Sequence, residues 1–262
     1  MINLIKNEIY KIIKQKKLYI FSCISILAII LQYMGFLMVK QNNSSFEIKL
    51  QLLPLMMISS LGMIIVIYIS VLMADIITDE YRNGTLKLSL IRPITRFELL
   101  ISKVAGLMFG ILILEAIILI LSYVLGIIFF GSEIFKNIGS DGLISLFLDI
   151  FKNLFYTLYI YLLASLPYFA FGMIVFFISI LCTNMGATIA SSLGIWFVFK
   201  FLSSQSEPIK PFIISSYNNF YIYLTNELNL QKTIISLCVI LAYILIFFIS
   251  SVHIFNKKEI LM

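Results

Sequence analysis

Leu99–Phe130 reads LLISKVAGLMFGILILEAIILILSYVLGIIFF, and its only charged residues are Lys103 and Glu115. A helix needs about 20 mostly apolar residues to cross a bilayer. This run is longer than that, so it is expected to span the membrane with its ends tilted or lying in the interface. Five more runs meet the same criterion: Leu18–Val39, Leu52–Ile77, Leu154–Leu181, Met185–Leu202 and Ile234–Phe255. The fourth run in chain order carries Pro167 near its middle, where a kink is expected. The first run is too long for the apolar core of a signal peptide and is followed by no small-x-small site, so it is expected to remain as a span.

Composition agrees. Of 262 residues, 61% are hydrophobic and 12% charged, with a mean hydropathy of +1.05. A soluble domain has roughly 45–50% apolar and about 25% charged residues, and one core of this length could not hide the excess. The fold class is therefore an all-α membrane protein with six transmembrane helices. Three cysteines, Cys23, Cys182 and Cys238, form no disulfide framework. One histidine, His253, has no second histidine to share a metal, and this argues against zinc and serine protease chemistry.

Orientation follows from lysine and arginine. Lys6, Lys11, Lys14, Lys16 and Lys17 precede the first span, Arg82, Lys87, Arg92, Arg96 and Lys103 follow the second, and Lys257 and Lys258 close the chain. The opposite side has Lys40, Lys49, Lys136, Lys152, Lys200, Lys210 and Lys232 over longer loops. Both termini are expected in the cytoplasm of a cell-membrane protein. The net charge of +6 reads as membrane-surface charge, and no basic soluble segment exists for nucleic acid.

Residues 1–17 form the first informative segment outside the spans. At 100° per residue Ile2, Ile5, Ile9, Ile12 and Ile13 fall in one arc, with Lys6, Lys11, Lys14 and Lys17 over the rest. The pattern predicts an amphipathic helix lying in the membrane interface. A plain topology signal would account for the lysines but not for the isoleucine arc.

Residues 78–98 read TDEYRNGTLKLSLIRPITRFE. Asn83-Gly84 signals a turn. Thr85 can cap a short helix through Leu86 and Lys87 to about Ile91, which Pro93 ends. Thr95 and Glu98 have the spacing of a capping box opening the third span. In α-helical register Asp75, Asp79 and Arg82 line one stripe at the end of the second span, where they would stiffen the base of the loop. An ordinary solvated loop would have the same composition.

This loop resembles the first cytoplasmic loop of the type-2 ATP-binding-cassette (ABC) permease family. There an acidic-aromatic-basic-x-Gly-Thr segment precedes an Arg/Lys-Pro-Ile/Val-Ser/Thr-Arg element and a Ser-Lys. The matching positions are Glu80, Tyr81, Arg82, Gly84 and Thr85, then Arg92, Pro93, Ile94, Thr95 and Arg96, then Ser102 and Lys103. The opening Leu4-Ile5-Lys6-Asn7-Glu8 through Lys11 is similar to the family's first helix.

The resemblance implies one permease domain over residues 1–262. It also implies a coupling helix in the loop after the second span, with Asp79, Glu80, Tyr81, Arg82, Gly84, Thr85, Leu86, Lys87, Arg92, Pro93 and Arg96 facing the motor. Two separate cytoplasmic ABC ATPase subunits and a second permease chain, identical or a close paralogue, would complete the complex. ATP and magnesium would belong to the ATPase, since no Gly-x-x-x-x-Gly-Lys-Ser/Thr occurs here. Small members with a lysine-rich start look most like exporters of peptide toxins or of peptide antibiotics to which the host is immune.

Within the third span Gly106-x-x-x-Gly110 would allow close helix packing. Glu115 lies on the other side of that helix, with Ser122 two turns on. A carboxylate inside a bilayer costs about 2.5–3.5 kcal/mol on insertion scales and marks a functional position. Two roles fit it: a polar patch with Ser122 on the translocation path between two permease chains, or a hydrogen-bonded link between helices. Gly186, Ala190 and Gly194 form a small-residue stripe on the fifth span, for a contact within the chain or between chains. Residues 203–233 carry Phe212, Tyr217, Phe220, Tyr221 and Tyr223, which suits an interfacial hairpin or an aromatic belt anchoring a loop.

Two other functions make different demands on these residues. An intramembrane prenyl-endopeptidase-like enzyme needs clustered Glu, His and Asn within spans. An ion-coupled carrier or channel needs paired ionisable groups at mid-membrane, where Glu115 stands by itself in the sequence.

Overall fold

The computed structural model describes residues 2–42, 53–84, 95–136, 142–205, 210–218 and 230–257. Every regular element among them is helical, and six are long and apolar enough to cross a membrane. Those six segments are Lys16–Val39, Gly62–Arg82, Arg96–Phe129, Asn153–Leu181, Met185–Gln205 and Gln231–Lys257. The all-α, six-span class is therefore what the apolar runs predicted. A separate helix, Ile2–Lys14, precedes the first span.

The second span differs from its expected Leu52–Ile77 bounds. Leu53–Ser60 is a short helix by itself, and Leu61 forms the turn after which Gly62–Met73 begins. The winding then loosens to a π-helix over Ala74–Asp79 before Glu80–Arg82 closes the element. Hydropathy is blind to the break, because both sides of Leu61 are apolar. The π winding also removes the α-helical register that would have aligned Asp75, Asp79 and Arg82 in one stripe. The fourth span runs as a single helix through Pro167.

The chain divides into two packed units. One comprises residues 1–15, 65–112 and 164–262. Its interior is built from Ile65, Tyr68, Ile69 and Met73 of the second span, Leu107 of the third, and Tyr168, Phe171 and Phe176 of the fourth, all buried. Phe171 meets Trp196 of the fifth span edge-on, with ring centroids 4.8 Å apart. Gly172 lets the third and fourth spans close up, since a Cβ there would lie 2.8 Å from Leu107 Cδ2.

The other unit comprises residues 16–64 and 113–163. Buried phenols join its helices: Tyr33 donates to the Ser122 carbonyl at 2.7 Å, and Tyr161 donates to the Pro54 carbonyl at 2.8 Å. Tyr123 and Thr157 share a hydrogen bond of 2.9 Å. Each bond satisfies a polar group that lipid could not hydrate.

Candidate functional site

Residues 78–98 leave the second span and return into the third, and side chains pin both of their described ends. Thr95 accepts the Glu98 backbone N–H at 3.2 Å through Oγ1, while Glu98 Oε2 accepts the Thr95 backbone N–H at 3.0 Å. That reciprocal pair is the capping box that the spacing predicted. Next to it, the Arg96 guanidinium donates to the carbonyls of Phe255 and Asn256 at 3.2 and 3.0 Å. These carbonyls lie at the C-terminal end of the sixth span, where helical carbonyls lack intrahelical donors and a cation is favoured.

The other end begins at the π turn. Thr78, fully buried, donates to the Ser179 carbonyl at 3.2 Å and shares a 3.0 Å hydrogen bond with Thr188 of the fifth span. Two residues on, Glu80 meets two lysines: Lys103 Nζ at 2.6 Å on Oε2 and Lys11 Nζ at 2.8 Å on Oε1. Glu8 Oε1 accepts from the same two lysines, Lys103 at 2.9 Å and Lys11 at 3.2 Å. Four charges of zero net sum thus join the N-terminal helix, the end of the second span and the start of the third.

Burial decides which of these pairs matter. The Lys103 side chain is 3% exposed and that of Glu8 8%, whereas the Lys11 side chain is 51% exposed. Solvent screens the Lys11 pairs to tenths of a kcal/mol. Breaking a buried pair costs far more, because the remaining charge is left without compensation. Burial lowers the affinity of Lys11 for its proton, but the hydrogen bond to Glu80 and the charges of Glu8 and Glu80 outweigh it, so its pKa lies above the ordinary lysine value.

Gly106, one turn beyond Lys103, completes the junction. A Cβ there would touch Glu8 Cβ and Ile12 Cδ1, each at 3.4 Å, so the N-terminal helix lies directly on the third span. Gly110 faces the second span, where a Cβ would lie 2.5 Å from Leu72 Cδ2. Ile12 is buried on this side, while Ile2 and Ile13 are exposed. The isoleucine arc is therefore divided, part against protein and part on the outer surface.

Glu80, read from the sequence as facing a motor, is turned inward to Lys103 and Lys11. Arg96 is likewise engaged with the sixth span. Asp79 and Tyr81 are half-buried, and Arg82 is exposed. Gly84 closes the element at φ +72°, a backbone region that residues with a Cβ rarely adopt. Its N–H bonds the Tyr81 carbonyl at 3.2 Å. Thr85, Leu86, Lys87, Arg92 and Pro93, with the short helix expected there, lie outside the described residues, as do Phe220, Tyr221 and Tyr223.

Glu115 and Ser122 are buried at 2% and 0% exposure. Tyr161, also buried, lies within electrostatic reach of Glu115, Tyr33 and Tyr123. Neither carboxyl oxygen of Glu115 has a hydrogen-bond partner among the described residues. By contrast Gly186, Ala190 and Gly194 are all exposed, and a Cβ on either glycine would meet nothing within 4 Å. Lys210–Phe212 and Ile214–Tyr217 are short 3₁₀ turns between the fifth and sixth spans. Tyr243 of the sixth span donates to the Phe212 carbonyl at 2.9 Å.

Lys103 and Glu8 were legible as basic, amphipathic and family-like positions, but not as partners. Their pairing spans 95 residues of sequence, and no local spacing signals it.

The fold and this anchored loop define a multi-pass helical membrane protein. The family described as ABC-2 family transporter protein matches residues 2–260, and the chain belongs to that family. It is a family of transport components rather than of catalytic enzymes. A 63-residue stretch is 46% identical to "Uncharacterized protein YhcI" of Bacillus subtilis (strain 168), covering 24% of this chain and 20% of that relative.

Proposed function

We propose that this chain is the permease subunit of an ATP-driven exporter, with both termini in the cytoplasm and the loop after the second span seated on an ABC ATPase. The observation that carries this reading is the anchoring of that loop. Glu80 ties one end to Lys103 and Arg96 ties the other to the end of the sixth span, so a push on the loop reaches several helices at once. Family membership supports the same reading. ATP and magnesium are held by the ATPase, and two ATPase subunits serve two permease chains. The uncovered stripe of Gly186, Ala190 and Gly194 supports pairing with a second permease chain, because small residues let helix backbones approach closely. The cargo is a peptide or another amphipathic molecule.

Arg82 is the residue for a direct test, being exposed beside the turn. Arg82→Glu is expected to abolish co-purification of the host's ABC ATPase while membrane insertion stays normal. Retention of the ATPase by Arg82→Glu and by a variant with residues 85–92 replaced by glycine and serine would refute docking at this loop.

A further inference from the structure

We infer that Glu8 and Lys103 are positioning residues that make the N-terminal helix a moving part of the response to ATP, rather than a float resting on the bilayer. The inference rests on the proposed docking of an ATPase at the loop after the second span.

Glu8 is the only acidic residue in the N-terminal helix. A helix that served only to lie in the interface would turn its polar side chains toward water and lipid headgroups. Glu8 does the reverse. Its carboxyl is buried, with Oε1 2.9 Å from Lys103 Nζ, and Oε2 has no hydrogen-bond partner among the described residues. Lys103 is therefore the main compensation for a desolvated charge.

Lys103 is equally committed. Its other carboxylate, Glu80 at 2.6 Å, lies at the end of the second span where the loop begins. One ammonium thus holds the N-terminal helix and the loop end together, on the first turns of the third span. Such pairs tolerate little displacement, since separating buried charges exposes each to an uncompensated environment. Gly106 lets Glu8 and Ile12 lie directly against the third span. When the loop end moves, the N-terminal helix goes with it.

The experiment uses the complex of this chain with its ATPase in lipid nanodiscs. The native cysteines are replaced by serine, and a spin label is placed at Tyr10→Cys, an exposed position on the N-terminal helix. Spectra are compared without nucleotide and with ATP trapped by a hydrolysis-deficient ATPase. In the otherwise unaltered chain ATP is expected to change the label's mobility. Glu8→Gln leaves the Lys103–Glu80 pair intact, so the ATPase stays bound, and it is expected to cut the ATP-induced change about fivefold or more. Lys103→Arg, which keeps both pairs, should retain most of the response.

A full response in Glu8→Gln would overturn the inference and leave docking standing. So would a label that ignores ATP in the unaltered chain while the ATPase is bound. Failure of the unaltered chain to capture the ATPase would overturn the docking reading together with this inference, which tells the two failures apart.

Discussion

Glu8 and Glu115 are both buried carboxyl groups, at 6% and 2% exposure, and their neighbours differ in kind. Glu8 has two ammonium groups within 3.2 Å and shares both with Glu80. Glu115 has Tyr161 within electrostatic reach and no hydrogen-bond partner among the described residues. Ions of opposite sign hold the first in place. The second is enclosed by packing, so removing it leaves no stranded partner. Burial alone therefore does not rank the two residues; what remains behind after each is removed does.

The largest expected effect breaks the paired side of this contrast. Lys103→Met leaves two carboxylates short of a cation, and one of them is almost wholly buried. Stability of the purified chain should fall by about 3–5 kcal/mol, the range for breaking one side of a buried ion pair. Denaturation in mild detergent reads this directly, and a loss below 1 kcal/mol would mean that water reaches the junction.

The unpaired side predicts the opposite. Glu115→Met should leave stability within about 1 kcal/mol of the parent or raise it, as when a buried polar group that leaves no partner behind yields to an apolar one of similar volume. The same denaturation assay applies. A loss of several kcal/mol would reveal a partner for the carboxyl and erase the contrast with Glu8.

The smallest effect concerns Lys11, which sits at the same junction but half in solvent. Its pairs should contribute tenths of a kcal/mol. Because its pKa is raised in the folded chain, the contribution is complete below the ordinary lysine value and is lost as pH rises through the raised one. The melting-temperature gap between the parent and Lys11→Met should therefore be small and flat up to about pH 10, where lysines ordinarily titrate. It should close above that. A gap that widens with alkali would contradict the pairing.

These contrasts also separate what could be read from the chain from what could not. The six spans were legible because a bilayer selects for apolar length, a property summed over about 20 residues and insensitive to detail. The Thr95–Glu98 box was legible because its partners lie three residues apart. The turn at Asn83-Gly84 was legible because only a glycine sits easily at φ +72°. The break at Leu61 and the π winding of Ala74–Asp79 were hidden, since tertiary fit decides them and the residues are ordinary helix formers. Glu80 and Arg96 were singled out, but their inward orientation depends on Lys103 and on Phe255, 23 and 159 residues away. Residue type is a local signal, whereas the direction a long side chain takes is settled by what lies at its tip.

The π turn at Ala74–Asp79 has a consequence for insertions and deletions. Winding with i→i+5 hydrogen bonds accommodates an extra residue in the helix, so the chain carries one spare position immediately ahead of Glu80. Deleting a single residue there would let the segment rewind as an α-helix, and Glu80 would keep its direction toward the lysines, because the π turn spends its extra residue without advancing the winding. The third span has no such reserve: it is α-helical throughout, so one codon lost from it would rotate everything that follows by about 100°.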